Sequence, residues 1–113
     1  MVDKKTIEYY ESNAPSICAR YESSRPSELQ DFILQALRNY SDRRSIDRPR
    51  ILEIGCGSGR ETAFLFEQGY EAFGVDASNA MIACARSHHP ETASRLFQAG
   101  FPLEQSPEHA QTV

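Results

Sequence analysis

ILEIGCGSGRETAFLFEQGYEAFGVDAS, residues 51–78, decides the fold. The apolar run ILEIG stops at Gly55, as a short strand does, and glycines then alternate at Gly55, Gly57 and Gly59. GRETAFLFEQ predicts a helix, ended by Gly69 at a C′ position. EAFGVD predicts a second strand, and its last residue, Asp76, lies 21 residues after Gly55. Further on, SNAMIACARSHH predicts a second helix, which Pro90 keeps from extending far. SRLFQAG predicts a third strand, stopped by Gly100 and Pro102. This β-α-β-α-β order predicts an α/β protein with parallel strands, right-handed crossovers and the spatial order 3-2-1.

Upstream, DKKTIEYYESNAPSICARYESS predicts two short helical pieces broken near Asn13–Pro15. In RPSELQDFILQALRNYSD, Ser27 and Gln30 form a capping box just after Pro26. Leu29, Ile33, Ala36, Leu37 and Tyr40 then recur at helical spacing. SDRRSIDRP is expected to be a loop, and the polar tail EQSPEHAQTV to be loose. The expected organisation is one domain over residues 1–113: N-terminal helices to 45, a core over 50–103 and a tail over 104–113.

Composition narrows the function classes. No stretch approaches the roughly 20 apolar residues of a membrane span, and the N-terminus has no apolar signal-peptide core. Cys18, Cys56 and Cys84 are scattered with no CxxC spacing, which points to a reducing, cytoplasmic setting without disulfides or zinc. The net charge of −4 is uneven: residues 1–50 carry nine Lys/Arg against eight Asp/Glu, residues 51–113 three against eight. An acidic glycine-rich half argues against a nucleic-acid face there. The basic cluster Arg38, Arg43, Arg44, Arg48 and Arg50 reads as a solvated helix end plus linker.

The glycine loop asks for a ligand. Glycines allow a tight turn and close approach to the backbone, and the helix that follows presents unpaired N–H groups. A carboxylate at the end of the second strand suits a ribose, whose hydroxyls it accepts from. The dinucleotide fingerprint G-x-G-x-x-G would place its third glycine at Arg60, and it fails there. What stands instead is E-x-G-x-G-x-G, from Glu53 to Gly59. A purely structural turn would not require three alternating glycines together with Asp76.

LEIGCGSGRETAFLFEQGYEAFGVDASNAMIACAR closely resembles the nucleotide-binding half of class I S-adenosylmethionine (SAM)-dependent methyltransferases. LEIGCGSG is similar to the family's first motif and GVDAS to its second; YYESNAPSICARYES looks like its opening helix, which folds over the cofactor. HHPETASRLFQAGFPLE resembles the run into the third strand, so the likeness covers nearly the whole chain. The resemblance implies a Rossmann-like three-layer sandwich, present in part, with SAM as cofactor and S-adenosylhomocysteine as product. It places Gly55, Cys56, Gly57 and Gly59 beneath the cofactor, Glu53 near its methionine amino end and Asp76 on the ribose hydroxyls. Ala77 and Ser78 would flank the adenine, with Ala99, Gly100 and Phe101 along its other edge. Many members carry an acid in that last stretch; this sequence has none there.

Tyr10, Arg20 and Tyr21 admit two readings. The tyrosines suit a sulfonium cation, and Arg20 suits a carboxylate; alternatively the tyrosines pack the helix and Arg20 is solvent-exposed. Cys56 reads as a small residue that fits rather than a nucleophile, and His88, His89 and His109 as solvated side chains. The family's sheet has seven strands in the order 3-2-1-4-5-7-6, and this sequence supplies strands 3, 2 and 1. The strand ILEIG is therefore expected at a free edge, available to a second copy or another partner. Three functions follow: a methyltransferase completed by dimerisation or a partner, a non-catalytic SAM-binding module, and a nicotinamide-dependent oxidoreductase fragment, which Arg60 disfavours.

Overall fold

In the computed structural model, residues 4–23 and 27–100 are described. Helix α1 spans Lys4–Ser23 and continues through Pro15, where a break between two pieces was expected. The proline removes one backbone hydrogen bond. Ala14, Ile17 and Cys18, all buried against Met81, hold the helix together across that point. Helix α2, Ser27–Arg44, runs on into the expected loop. Arg43 and Arg44 in its last turn complement the negative end of the helix dipole. Ser45, at φ 54°, then terminates it, with Ile46 N donating back to Ser41 O.

The remaining elements are β1 (Arg50–Ile54), α3 (Arg60–Glu67), β2 (Glu71–Asp76), α4 (Asn79–His88), a 3-10 turn (Pro90–Arg95) and β3 (Leu96–Gln98). The 3-10 turn takes up the front of the expected third strand, leaving a strand of three residues. Helix α3 closes as expected at Gly69, where Gly69 N donates to Phe66 O and Tyr70 N to Leu65 O, the paired bonds of a Schellman end. Ser78 caps α4 by accepting from Met81 N at 3.1 Å.

The three strands are parallel in the order β1-β2-β3, with β1 at the edge. Ile51 pairs with Ala72, and Glu53 with Gly74, which pairs in turn with Leu96. That face meets the helices. Gly74 allows the close fit, since a Cβ there would lie 2.8 Å from both Cys56 Cβ and Thr62 Oγ1. The pleat turns Leu52 and Phe73, and Ile54, Val75 and Phe97, to the other face. Leu52, Ile54 and Phe97 are 54%, 61% and 47% exposed there. The core thus lies on one side of the sheet, and the glycine turn sits at the carboxyl ends of the strands.

Candidate functional site

The turn between β1 and α3 holds three left-handed glycines, with φ of 76° at Gly55, 54° at Gly57 and 79° at Gly59. Gly55 N and Cys56 N both donate to Val75 O, at 2.8 and 2.9 Å, which ties the turn to the end of β2. Gly57 N donates to Asp76 Oδ2 at 3.0 Å and Ser78 N to Asp76 Oδ1 at 3.1 Å. Two backbone amides therefore fix the carboxylate, and each oxygen keeps acceptor capacity for a ligand. At Gly57 the bare backbone has a second use: a Cβ would meet Tyr21 Cε2 at 3.0 Å.

Tyr21 belongs to α1, which crosses the carboxyl ends of the strands. Its phenol hydrogen-bonds Tyr10; that bond, followed by burial, pushes its pKa up. Two adjoining cavities share Tyr21, Gly55 and Gly57. The first, about 290 Å³, is lined also by Thr6, Ile7, Tyr10, Ile54, Asp76, Ala77, Ser78 and Ala99. The second, about 300 Å³, adds Glu53, Cys56, Ser58, Arg60 and Glu61. Each lies near the lower end of small-ligand pockets, roughly 300 Å³, and together they suit an elongated molecule bent over the glycine turn.

Glu53 forms the acidic wall of the second cavity. Burial pushes its carboxyl up to about 7, although the Thr62 hydroxyl, donating at 2.8 Å, stabilises the ionised form. Burial likewise pushes the Cys56 thiol to about 12, with Asp76 and Glu53 adding to the effect, so it is no thiolate nucleophile at neutral pH. Two carboxylates and two phenols around the glycine turn suit a nucleoside carrying positive charge. A diphosphate would meet Asp76, and Glu53 in its ionised form, as like charges, and Arg60 is already engaged, donating to Tyr21 O and pairing with Glu61 at 3.0 Å.

Most of the expected residues converge here: Tyr10, Tyr21, Glu53, Gly55, Cys56, Gly57, Asp76, Ala77, Ser78 and Ala99 line one cavity or the other. Gly59 starts α3 behind them, and Gly100 is half-buried beyond Ala99. Arg20 lies on the exposed side of α1 and lines neither cavity. Phe101 and His109 lie outside the described residues. His89 corrects the expectation of a solvated side chain: it is 15% exposed and its Nε2 lies 2.8 Å from Glu22 Oε1. Sequence reasoning missed Thr6, Ile7, Glu11 and Glu22. Ile7, Tyr10, Ala14, Ile17 and Tyr21 follow helical spacing, a signal hidden by reading the helix as broken at Pro15. Glu11 accepts from Ser78 Oγ at 3.1 Å and from Ala80 N at 3.2 Å, holding α1 to the start of α4.

Compared with known families, residues 51–111, more than half of the chain, match the family described as Methyltransferase domain. The chain belongs to this family. Its members of class I use SAM as cofactor, and the parallel α/β sheet described above is their fold in part. Among relatives, this methyltransferase domain is 34% identical over 73 residues to the glycine N-methyltransferase of Oryctolagus cuniculus, covering 59% of this chain and 23% of that protein. It is 35% identical over 92 residues to the biotin biosynthesis bifunctional protein BioHC of Cellvibrio japonicus, covering 81% and 17%. With the ubiquinone biosynthesis O-methyltransferase of Hydrogenovibrio crunogenus the identity is 30% over 69 residues, covering 61% and 27%. The domain therefore spans about a sixth to just over a quarter of the length of these relatives. A solved TehB-like SAM-dependent methyltransferase from Corynebacterium glutamicum is 26% identical at a TM-score of 0.44, covering 74% of this chain and 50% of that one. Among the described residues, no helix is long and apolar enough to cross a membrane, and no cluster of three His, Cys, Asp or Glu forms a metal site.

Proposed function

We propose that this chain binds SAM in the cleft between α1 and the glycine turn, and forms the cofactor-binding part of a methyltransferase. The observation that carries the reading is the Asp76 carboxylate, set by the amides of Gly57 and Ser78 at the lip of a turn built on three left-handed glycines. Asp76 accepts from the ribose hydroxyls, while Ala77, Ser78 and Ala99 border the adenine. The second cavity takes the methionine end, whose ammonium faces Glu53. Tyr10 and Tyr21 present their phenols and ring faces beside the sulfonium. Bound SAM supplies an electrophilic methyl group. The protein's contribution is to hold that methyl in line with an acceptor and to exclude water from the approach.

The acceptor side of the crevice would be built beside β1 by polypeptide outside the described residues, a second copy of this chain being one source, and the cytoplasm is the proposed setting. A non-catalytic SAM-binding module is the second reading, favoured by the exposure of Leu52 and Ile54 beside the cleft, where an acceptor wall would stand. Calorimetric titration with SAM, S-adenosylhomocysteine and NAD tests the first step. Binding of the two sulfur nucleosides but not NAD is expected. Asp76→Ala should weaken SAM by roughly 10- to 100-fold, the worth of hydrogen bonds to a charged group. Unchanged affinity in that variant would overturn the site. Transfer of a labelled methyl group to cell extract then separates enzyme from module.

A further inference from the structure

We infer that Glu22 is a positioning residue that fastens α1 to the glycine turn and so sets cofactor affinity; the inference rests on the SAM site proposed above. Glu22 stands in the last turn of α1, beside the negative end of the helix dipole. A carboxylate there is unfavourable unless something else holds it. Two groups from elsewhere in the chain do so. Ser58, 2% exposed inside the glycine turn, donates its hydroxyl to Glu22 Oε2 at 2.6 Å. His89, at the C-cap of α4, brings Nε2 to 2.8 Å from Glu22 Oε1, an ion-pair distance outside hydrogen-bond alignment. Burial pushes the Glu22 carboxyl up, but Ser58 and His89 together outweigh it and hold the group below the ordinary range.

One carboxylate thereby joins three elements: the end of α1, the turn at Ser58 and the end of α4. Its chain neighbour Tyr21 lines both cavities and lies against Gly57. Gly57 N in turn helps fix Asp76. Releasing Glu22 frees the turn of α1 that carries Tyr21 and loosens the loop that presents the Gly57 amide. The hydroxyl of Ser58 is spent on Glu22, so Glu22 acts through Ser58 rather than on the ligand.

A double-mutant cycle on the full chain tests this. Glu22→Ala and Ser58→Ala should each weaken SAM roughly tenfold, the worth of one charge-assisted hydrogen bond. The double variant should lose no more than Glu22→Ala alone, because Ser58→Ala removes a contact that Glu22→Ala has already removed. Glu22→Gln keeps an acceptor for Ser58 and should recover most of the affinity. Hydrogen exchange on the ligand-free protein provides a second readout: the amides of Gly57 to Gly59 should exchange faster in Glu22→Ala and be restored in Glu22→Gln. Additive losses, or unchanged exchange at 57–59 in a folded Glu22→Ala protein, would overturn the inference. If the unmodified chain fails to bind SAM, the site proposal falls, and the exchange measurement still decides whether Glu22 holds the turn. Should Glu22→Ala not fold, Glu22→Gln and Ser58→Ala are compared instead, and unaltered exchange in Ser58→Ala overturns the inference.

Discussion

Glu53 faces α3 from the edge strand, and its environment holds its carboxyl at about 7. Burial is the main cause, and Thr62 opposes it only in part. In the unfolded chain an ordinary glutamate ionises near 4.3. The folded form therefore binds the extra proton between these two values, and its stability falls as pH rises through that window. The contribution is fully present below the unfolded pKa and is lost by the time pH passes about 7. A shift of that size amounts to roughly 4 kcal/mol as an upper figure. Glu53→Gln should flatten the dependence: urea unfolding at pH 5 and pH 8 should differ clearly for the original protein and little for the variant. Equal pH slopes in the two proteins would refute the assignment to Glu53. Asp76 is held by a different route, through two backbone amides, and its place was legible in the sequence from its spacing to the glycines. Glu22 was not legible, because its partners, Ser58 and His89, are 36 and 67 residues further along and meet it only through the packing of α1 on α4.

At the scale of elements, the sequence disclosed β2 to the residue and β1 to within one residue at each end. Each is a short apolar run closed by a glycine or an acid, and such local signals survive folding unchanged. The helix α1 was harder, since the penalty of Pro15 is local while the burial of Ala14, Ile17 and Cys18 that offsets it comes from α4. The same contrast governs the junction of α3 with the sheet. Gly74 in β2 has no left-handed φ to explain it, and its role is steric. A methyl group there would press on Cys56 Cβ and Thr62 Oγ1 at 2.8 Å and on Leu96 Cδ2 at 3.0 Å. Gly74→Ala should therefore destabilise the fold by about 1–3 kcal/mol, the usual cost of overpacking. Because Thr62 is the donor to Glu53, the variant should also change the pH dependence described above. Denaturant titrations at two pH values measure both effects. A variant as stable as the original would show that α3 is free to move away from β2.

Among the described residues, the molecule presents its helices on one side of a three-stranded sheet and its strongest apolar strand at the rim. Among the described residues no strand pairs with the outer edge of β1, and Leu52, Ile54 and Phe97 stand exposed on the other face. The net charge of −4 opposes association only weakly at physiological salt, where screening acts within about 8 Å. The edge is long enough for five residues of pairing, has no proline within it, and its inward carboxyl, Glu53, is already taken up by Thr62 of α3. Two copies related by a two-fold axis would join their β1 edges in antiparallel fashion and cover part of both apolar faces. The isolated chain is therefore expected to sediment as a dimer in equilibrium with monomer. Leu52→Lys combined with Phe97→Lys should shift that equilibrium to monomer, since each copy would then carry two charges into the shared face. Both positions lie outside the linings of the two cavities, so SAM titration of the double variant also reports whether the cleft depends on assembly. Retained affinity in a monomer would place the whole cofactor site within one chain. A wild-type protein that sediments only as monomer at high concentration would remove self-association.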